Sequence, residues 1–379
     1  MTTILITGGA GFIGSRLAKR LVMAGHRVRI LDPLTAQVHG EVPQDTEWLQ
    51  DGPVEFIRGS VTSRADWVRA LADVDCVAHL AAETGTGQSM YEVSRYNEVN
   101  SQGTALLFDV LAAPGPRSVK RVILTSSRSI YGEGRYGCPS CGLEPVYPPA
   151  RGAEQLKAHR WEPECPACGA DLVAQPTRES DSPRPASIYA ATKYAQEDLV
   201  RIGCASLGLG YTIFRLQNVF GEGQSLKNPY TGILSIFSTR IRRGLQLPLF
   251  EDGKETRDFV HVDDVVSALT LAIEAPTAHN DIFNVGSGAA TSVEEVATLL
   301  TKALGHEPDT QVTGQYRIGD IRHNVADMSH TRDQLGFVPE IDLATGLARF
   351  ARWVETQPLP EDLLDKANSE LKARALMGQ

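Results

Sequence analysis

The sequence predicts an α/β protein: a doubly wound parallel sheet joined to a smaller α/β domain and carrying a cysteine-rich insertion. Three observations lead there. Apolar runs alternate with helical patterns through the first half of the chain. Those runs are nearly continuous, as strands are when helices cover both faces of a sheet. The alternation then breaks for about fifty residues rich in Cys, Pro, Gly and Arg before it resumes.

In order, strands are predicted over 4–7, 28–31, 54–57, 76–80 and 122–125, with helices over 12–24, 65–71 and 92–111, and Gly25 and Gly115 where helices stop. After the break a helix starts at Tyr189 and a strand spans 211–216. Helices over 229–243, 262–274 and 292–303 and a strand over 282–285 follow, and the 361–379 tail reads as an amphipathic helix prone to fray. The chain of 379 residues thus divides into a sheet domain, 1–218, with an insertion at 133–182; a smaller domain, 219–360, with segments returning to the first; and the tail.

Composition narrows the function classes. Hydrophobic content of 42% and charged content of 22% suit a soluble enzyme, and no apolar run reaches the roughly 18 residues of a membrane span. A net charge of −9 argues against a general nucleic-acid or membrane-surface binder while leaving room for a local basic pocket. Residues 1–10 read as a first strand rather than a secretory signal, so cytoplasmic residence is expected.

Gly8-Gly9-Ala10-Gly11-Phe12-Ile13-Gly14 follows the first strand and opens the first helix. In that position Gly8, Gly11 and Gly14 make a tight turn, and the backbone N–H groups there, with Phe12 and Ile13, can approach a pyrophosphate. This is the dinucleotide turn of a Rossmann-type sheet. Asp32, eighteen positions after Gly14, can accept hydrogen bonds from the adenosine ribose and would repel a 2′-phosphate, which favours NAD over NADP. Tyr189 and Lys193 stand one helical turn apart, so the ammonium can lower the phenol's pKa and anchor the nicotinamide ribose. Alone, such a pair is more often an ordinary surface feature.

Further motifs agree: His79-Leu80-Ala81-Ala82, Thr125-Ser126-Ser127 leading to Tyr131-Gly132, Arg215 to Gly221, and Arg257-Asp258-Phe259-Val260-His261-Val262-Asp263-Asp264. With these, the sequence resembles the extended short-chain dehydrogenase/reductase family, in its nucleotide-sugar epimerase/dehydratase branch, over nearly its whole length. The resemblance implies bound NAD beside Leu80, Ala81 and Ala82. It implies hydride abstraction at sugar C4 by bound NAD, assisted by Tyr189 with Lys193 and Ser127, with Ser127 hydrogen-bonded to the hydroxyl being oxidised. Asn218, Arg257 and Arg317 would hold the nucleotide diphosphate, and helices 92–111 and 189–206 would form a homodimer. Where the family has Gly-Asp after the third strand, this chain has Gly59-Ser60, leaving the backbone of Val61 to meet the adenine.

The residues after Ser127 bear on the reaction. Family 4,6-dehydratases carry an acid and a base there; this chain has Arg128 and Ser129, which favours 4-epimerisation. The insertion and the stretch 87–91 are most similar to sequences grouped with dTDP-L-rhamnose 4-epimerases. Arg128 could instead pair with a hexuronate carboxylate, so a UDP-glucuronate or other UDP-hexose 4-epimerase stays open. So do a 4-ketoreductase and a non-catalytic NAD-binding sensor or scaffold.

Two matching knuckles, Cys138-Pro139-Ser140-Cys141-Gly142 and Cys165-Pro166-Ala167-Cys168-Gly169, have the spacing by which four thiolates close a tetrahedral zinc site. Four such ligands leave no place for water, so the zinc expected is structural. Cys76 and Cys204 stand alone in apolar settings and are expected to be buried, inert thiols. His79, His261 and His323 are not at metal spacing; the first two are expected to make structural hydrogen bonds near the cofactor.

Overall fold

The structure is a computed structural model that describes residues 1–40, 48–226, 232–277 and 280–379; the start of the predicted 229–243 helix falls outside this set. Seven strands form the main sheet: β1 (Thr3–Thr7), β2 (Arg27–Asp32), β3 (Val54–Arg58), β4 (Cys76–His79), β5 (Arg121–Ser127), β6 (Gly210–Leu216) and β7 (Asp281–Val285). Their order is β7-β6-β5-β4-β1-β2-β3, and every pairing is parallel.

Helices cover both faces, which is why the strands read as unbroken apolar runs. On β1, Ile4 and Ile6 pack to one side with α1 (Phe12–Met23), while Leu5 packs to the other with α2 (Arg64–Ala70) and α3 (Gly103–Leu111). α4 (Ile188–Leu207) joins the second side through Val200 and Cys204. Burial pushes the Cys76 and Cys204 thiols up to about 12, so both stay protonated at neutral pH.

A smaller core gathers Phe220 and Phe259 with α5 (Ile233–Arg242), α7 (Val293–Ala303) and α8 (Leu343–Glu355). Between α5 and α7 the chain returns to the large unit: α6 (Val262–Glu274) packs on α1, and β7 extends the sheet edge. The insertion has its own small cluster of Tyr136, Cys138, Val146, Cys165 and Leu172, closed by pairing of Tyr136–Gly137 with Val173–Ala174.

Three elements differ from expectation, one being α8 over Leu343–Glu355, where no helix is predicted. The predicted 92–111 helix is broken by a π turn, Asn97–Gln102, because buried Asn100 turns its side-chain amide to the backbone of Glu83 and to Thr192. The tail is docked rather than frayed. Its helix α9 (Leu364–Ala373) buries Leu364, Ala367 and Leu371, and Met377–Gly378 pairs with Tyr316–Arg317.

One buried ion pair ties the sheet to its helices. Arg215 on β6 donates from Nε to both Glu197 oxygens on α4 at 3.1 and 3.3 Å and from Nη2 to Oε2 at 2.8 Å, and its Nη1 bonds the Tyr131 hydroxyl. Both charged side chains are 3% exposed. Removing one member leaves the other charge uncompensated, so Glu197→Ala should cost about 3–5 kcal/mol in a urea titration, against about 1 kcal/mol for an exposed pair.

Candidate functional site

The sheet order reverses at β1, whose neighbours are β4 and β2, and a crevice opens beyond the carboxyl ends of these strands. There the β1–α1 turn is as close as a backbone allows. Gly8 has φ +67°, and a Cβ on it would lie 2.9 Å from the Ala81 nitrogen; one on Gly14 would lie 2.4 Å from the Gly8 oxygen. The turn borders a cavity of about 500 Å³ lined by Gly8, Gly11, Phe12, Ile13, Gly14, Asp32, Val61, Leu80, Ala81 and Ala82. Every cofactor residue expected outside the Tyr189–Lys193 pair therefore faces one space.

Asp32 is 5% exposed and accepts from the Ala10 and Leu34 N–H groups at 3.1 and 2.8 Å. It thus acts as a local cap while still presenting lone pairs to the cavity. Ser60 lines the same space, its N–H donated to Asp66 at 3.0 Å. Sequence reasoning did not single out His39, Glu83, Val99, Gln224 or Ser235, which also line it. Val99 reaches it from the π turn, and nothing in the sequence pattern marks that.

Ser127 ends β5, and Tyr189 and Lys193 lie on the first turns of α4, which Ser187 caps by accepting from the Ala190 N–H. Ser89 fixes this helix start by accepting from the Tyr189 N–H at 3.0 Å. Burial raises the Tyr189 pKa; its hydrogen bond with Ser127 and the nearby Arg128 charge pull it down. Lys193 donates to Gln196 at 2.8 Å, and burial brings its own pKa down to about 7. His79, held between Thr7 and Thr104 at 2.7 and 2.9 Å, is kept neutral by burial and Lys193, down to about 3. His261 bonds Glu222 at 3.0 Å and His323 bonds Glu162 at 3.0 Å.

A second cavity, about 380 Å³, meets the first at Val219 and Gly232. Arg128, Asn218, Arg257 and Arg317 all line it. Among the described residues no carboxylate lies within ion-pair distance of these three arginines. Arg128 donates to Asn218 at 2.9 Å, and burial together with Arg257 brings its pKa down to about 9. Arg257 is seated on the carbonyls of Thr256, Ile321 and Arg322 at 2.8–3.0 Å, and Arg317 lies 4.6 Å over the Phe250 ring. Three guanidiniums converging on one cavity without a direct ion pair make a site for a polyanion. Gln88, Glu251, Glu255, Asp320 and Asn368, unforeseen from the sequence, complete the walls, with burial raising Glu255 to about 7.

The four knuckle thiols converge away from both cavities. All four sulfurs lie within 4.8 Å of one another, with Cys138–Cys168 at 3.5 Å and Cys141–Cys165 at 3.7 Å. Gly142 and Gly169 share φ +73°, so the two turns have the same shape. Sulfurs around a tetrahedral zinc at about 2.3 Å would stand roughly 3.8 Å apart.

The model of the NAD dependent epimerase/dehydratase family matches residues 4–151 and 166–286. The chain belongs to that family. The unmatched 152–165 stretch lies inside the cysteine insertion and ends on Cys165, the first residue of the second knuckle. The chain is 38% identical to a dTDP-L-rhamnose 4-epimerase of Burkholderia thailandensis, over 93% of this chain and 94% of that one. It is 32% identical to a UDP-glucose 4-epimerase of Mycolicibacterium smegmatis, over 91% and 96%. The solved structure of MoeE5 in complex with UDP-glucuronic acid and NAD superposes with a TM-score of 0.72 at 29% identity, covering 93% and 99%. The glycine turn and its cavity suit NAD, and a side chain at Gly8 or Gly14 would collide with the backbone that shapes the turn.

The Tyr189 balance gives a test. Ser127 favours the phenolate, so Ser127→Ala should move the Tyr189 titration to higher pH. Ultraviolet difference titration, with the Tyr189→Phe protein subtracted, reads this phenol alone. A curve unchanged or moved down would refute the assignment.

Proposed function

We propose that this chain is a nucleotide-sugar 4-epimerase that converts dTDP-L-rhamnose to dTDP-6-deoxy-L-talose. The observation that carries the reading is the junction of the two cavities at Val219 and Gly232: Thr125 of β5 lines one and Arg128 the other, and Ser127, between them in the chain, is hydrogen-bonded to Tyr189. The sugar choice is supported by the Burkholderia relative. In this reading Arg257, Arg317 and Asn218 hold the diphosphate. Ser127 orients the C4 hydroxyl, and Tyr189 takes its proton and later returns it. Bound NAD supplies the reversible acceptor for the C4 hydride. Lys193 and Asp32 are assigned to its two riboses.

Dehydration lacks its groups. Ser129 bonds Ser127 at 3.0 Å and Arg128 bonds Asn218, so neither position after Ser127 offers an acid or a base. A second reading, UDP-glucuronate 4-epimerase, is favoured by one observation: Arg128 faces the cavity with no carboxylate partner among the described residues. No described helix is long and apolar enough to cross a membrane. A homodimer through α4 and the 93–111 helical stretch belongs to the same proposal, with Ile202 and Val93 exposed at 59% and 46%.

Purified protein incubated without added cofactor should convert dTDP-L-rhamnose to an isomer of equal mass, seen by sugar NMR, and Tyr189→Phe should lower turnover by roughly 10²-fold or more. Conversion of UDP-glucuronate alone would establish the second reading, and loss of water would overturn both.

We also propose that Cys138, Cys141, Cys165 and Cys168 hold one structural zinc, supported by the sulfur spacing, since four thiolates complete a tetrahedral site. Metal analysis of protein purified under reducing conditions should find one zinc per chain. Release of that zinc should expose four titratable thiols; a metal-free preparation with the same thiol titre would refute it.

A further inference from the structure

The insertion does more in the structure than enclose its own cysteines. It leaves the sheet domain at Gly132, directly after the Arg128–Tyr131 turn, and returns at Ser187, the cap of the helix that carries Tyr189. Its two ends touch: the Arg184 N–H donates to the Ile130 carbonyl at 2.8 Å, and a Cβ on Gly132 would lie 2.3 Å from the Arg184 oxygen.

From this insertion Arg151 reaches the wall of the substrate cavity. Its guanidinium makes a two-pronged bond to Glu251 at 2.8 and 2.9 Å, donates to Glu133 at 3.3 Å, and holds the Asp320 carbonyl at 3.0 Å. The Arg151 and Glu133 side chains are 1% exposed and Glu251 is 5% exposed. The other Glu133 oxygen accepts from the Arg322 N–H at 2.8 Å, and Arg322 donates back to Glu251 and to Asp252. Arg257 in turn sits on the carbonyls of Ile321 and Arg322. A continuous set of buried bonds therefore runs from the insertion to the seat of Arg257.

Charge points the same way. Glu251 and Asp320 line a cavity read as holding a diphosphate, where an uncompensated carboxylate would repel the ligand. Arg151 neutralises Glu251 and fixes its carboxylate in the wall. A planar fork is needed for that; a lysine keeps the charge and loses the two-pronged geometry.

We propose that the cysteine insertion positions the diphosphate end of the substrate cavity, and that Arg151 is the positioning residue through which it acts. The proposal rests on the nucleotide-sugar reading above. It is tested with the full chain by titrating dTDP and UDP calorimetrically into wild type, Arg151→Lys and Cys141→Ser, with NAD content and melting temperature measured alongside. Cys141 is chosen because its thiol is exposed and stands outside both cavities.

Each variant should weaken diphosphate binding about tenfold or more, raise KM more than it lowers kcat, and leave NAD content at the wild-type level. The double variant should be little worse than the weaker single one, since both act along one path. Wild-type affinity in either folded variant would overturn the coupling, and if Arg151→Lys does not fold, Cys141→Ser decides. Parallel loss of NAD would overturn it too, as general unfolding. A wild-type protein that binds neither diphosphate would overturn the functional reading and this coupling together.

Discussion

The fold turns on one place where backbone meets backbone with no side chain between them. At Gly8 the chain runs against Ala81 of the neighbouring strand end, and at Gly14 the first helix lies on Gly8 itself. This closeness lets the end of β1, the start of α1 and the end of β4 share a single cavity wall. It also sets how far the carboxyl ends of β5 and β6 stand from the cofactor space. Ser127, Arg128 and Asn218 inherit their positions from that spacing. A methyl group here would displace main chain rather than a flexible side chain, which is why the constraint is absolute.

The chemistry of the site is one of buried ionisable groups that, among the described residues, have no direct ion pair. Tyr189 is buried deeply enough to hold its proton, Lys193 deeply enough to lose one near neutrality, and Arg128 is drawn down beside Arg257. An anionic ligand beside Arg128 would favour its charged form. Perturbed groups gathered around two adjoining cavities are the physical mark of a reactive centre. The buried histidines and the Arg215–Glu197 pair are perturbed too, yet they are fully bonded within the protein and only hold it together.

What the sequence made legible shares one property: it is local. The apolar strands, the glycine turn, the Tyr189–Lys193 spacing and the two cysteine knuckles each occupy a short run, and a short run leaves a pattern. The strand and helix bounds accordingly fall within a few residues of expectation. What stayed hidden joins polar residues far apart in the chain. Arg151 meets Glu251, Glu133 meets Arg322, and Asn100 bends its own helix by reaching Glu83 and Thr192. No periodicity foretells such contacts. Helical spacing likewise gives the distance of Lys193 from Tyr189 but not the bond of its ammonium to Gln196.

The tail adds a matter of timing. Met377 and Gly378 complete the strand that carries Arg317, and Leu364, Ala367 and Leu371 wall the cavity in front of it. A chain emerging from the ribosome folds its earlier domains first. The dinucleotide turn and its sheet can therefore form while the second cavity still lacks one side. Such a nascent protein could hold cofactor well before it could hold a second ligand, and completion of that cavity waits until residue 378 has left the ribosome.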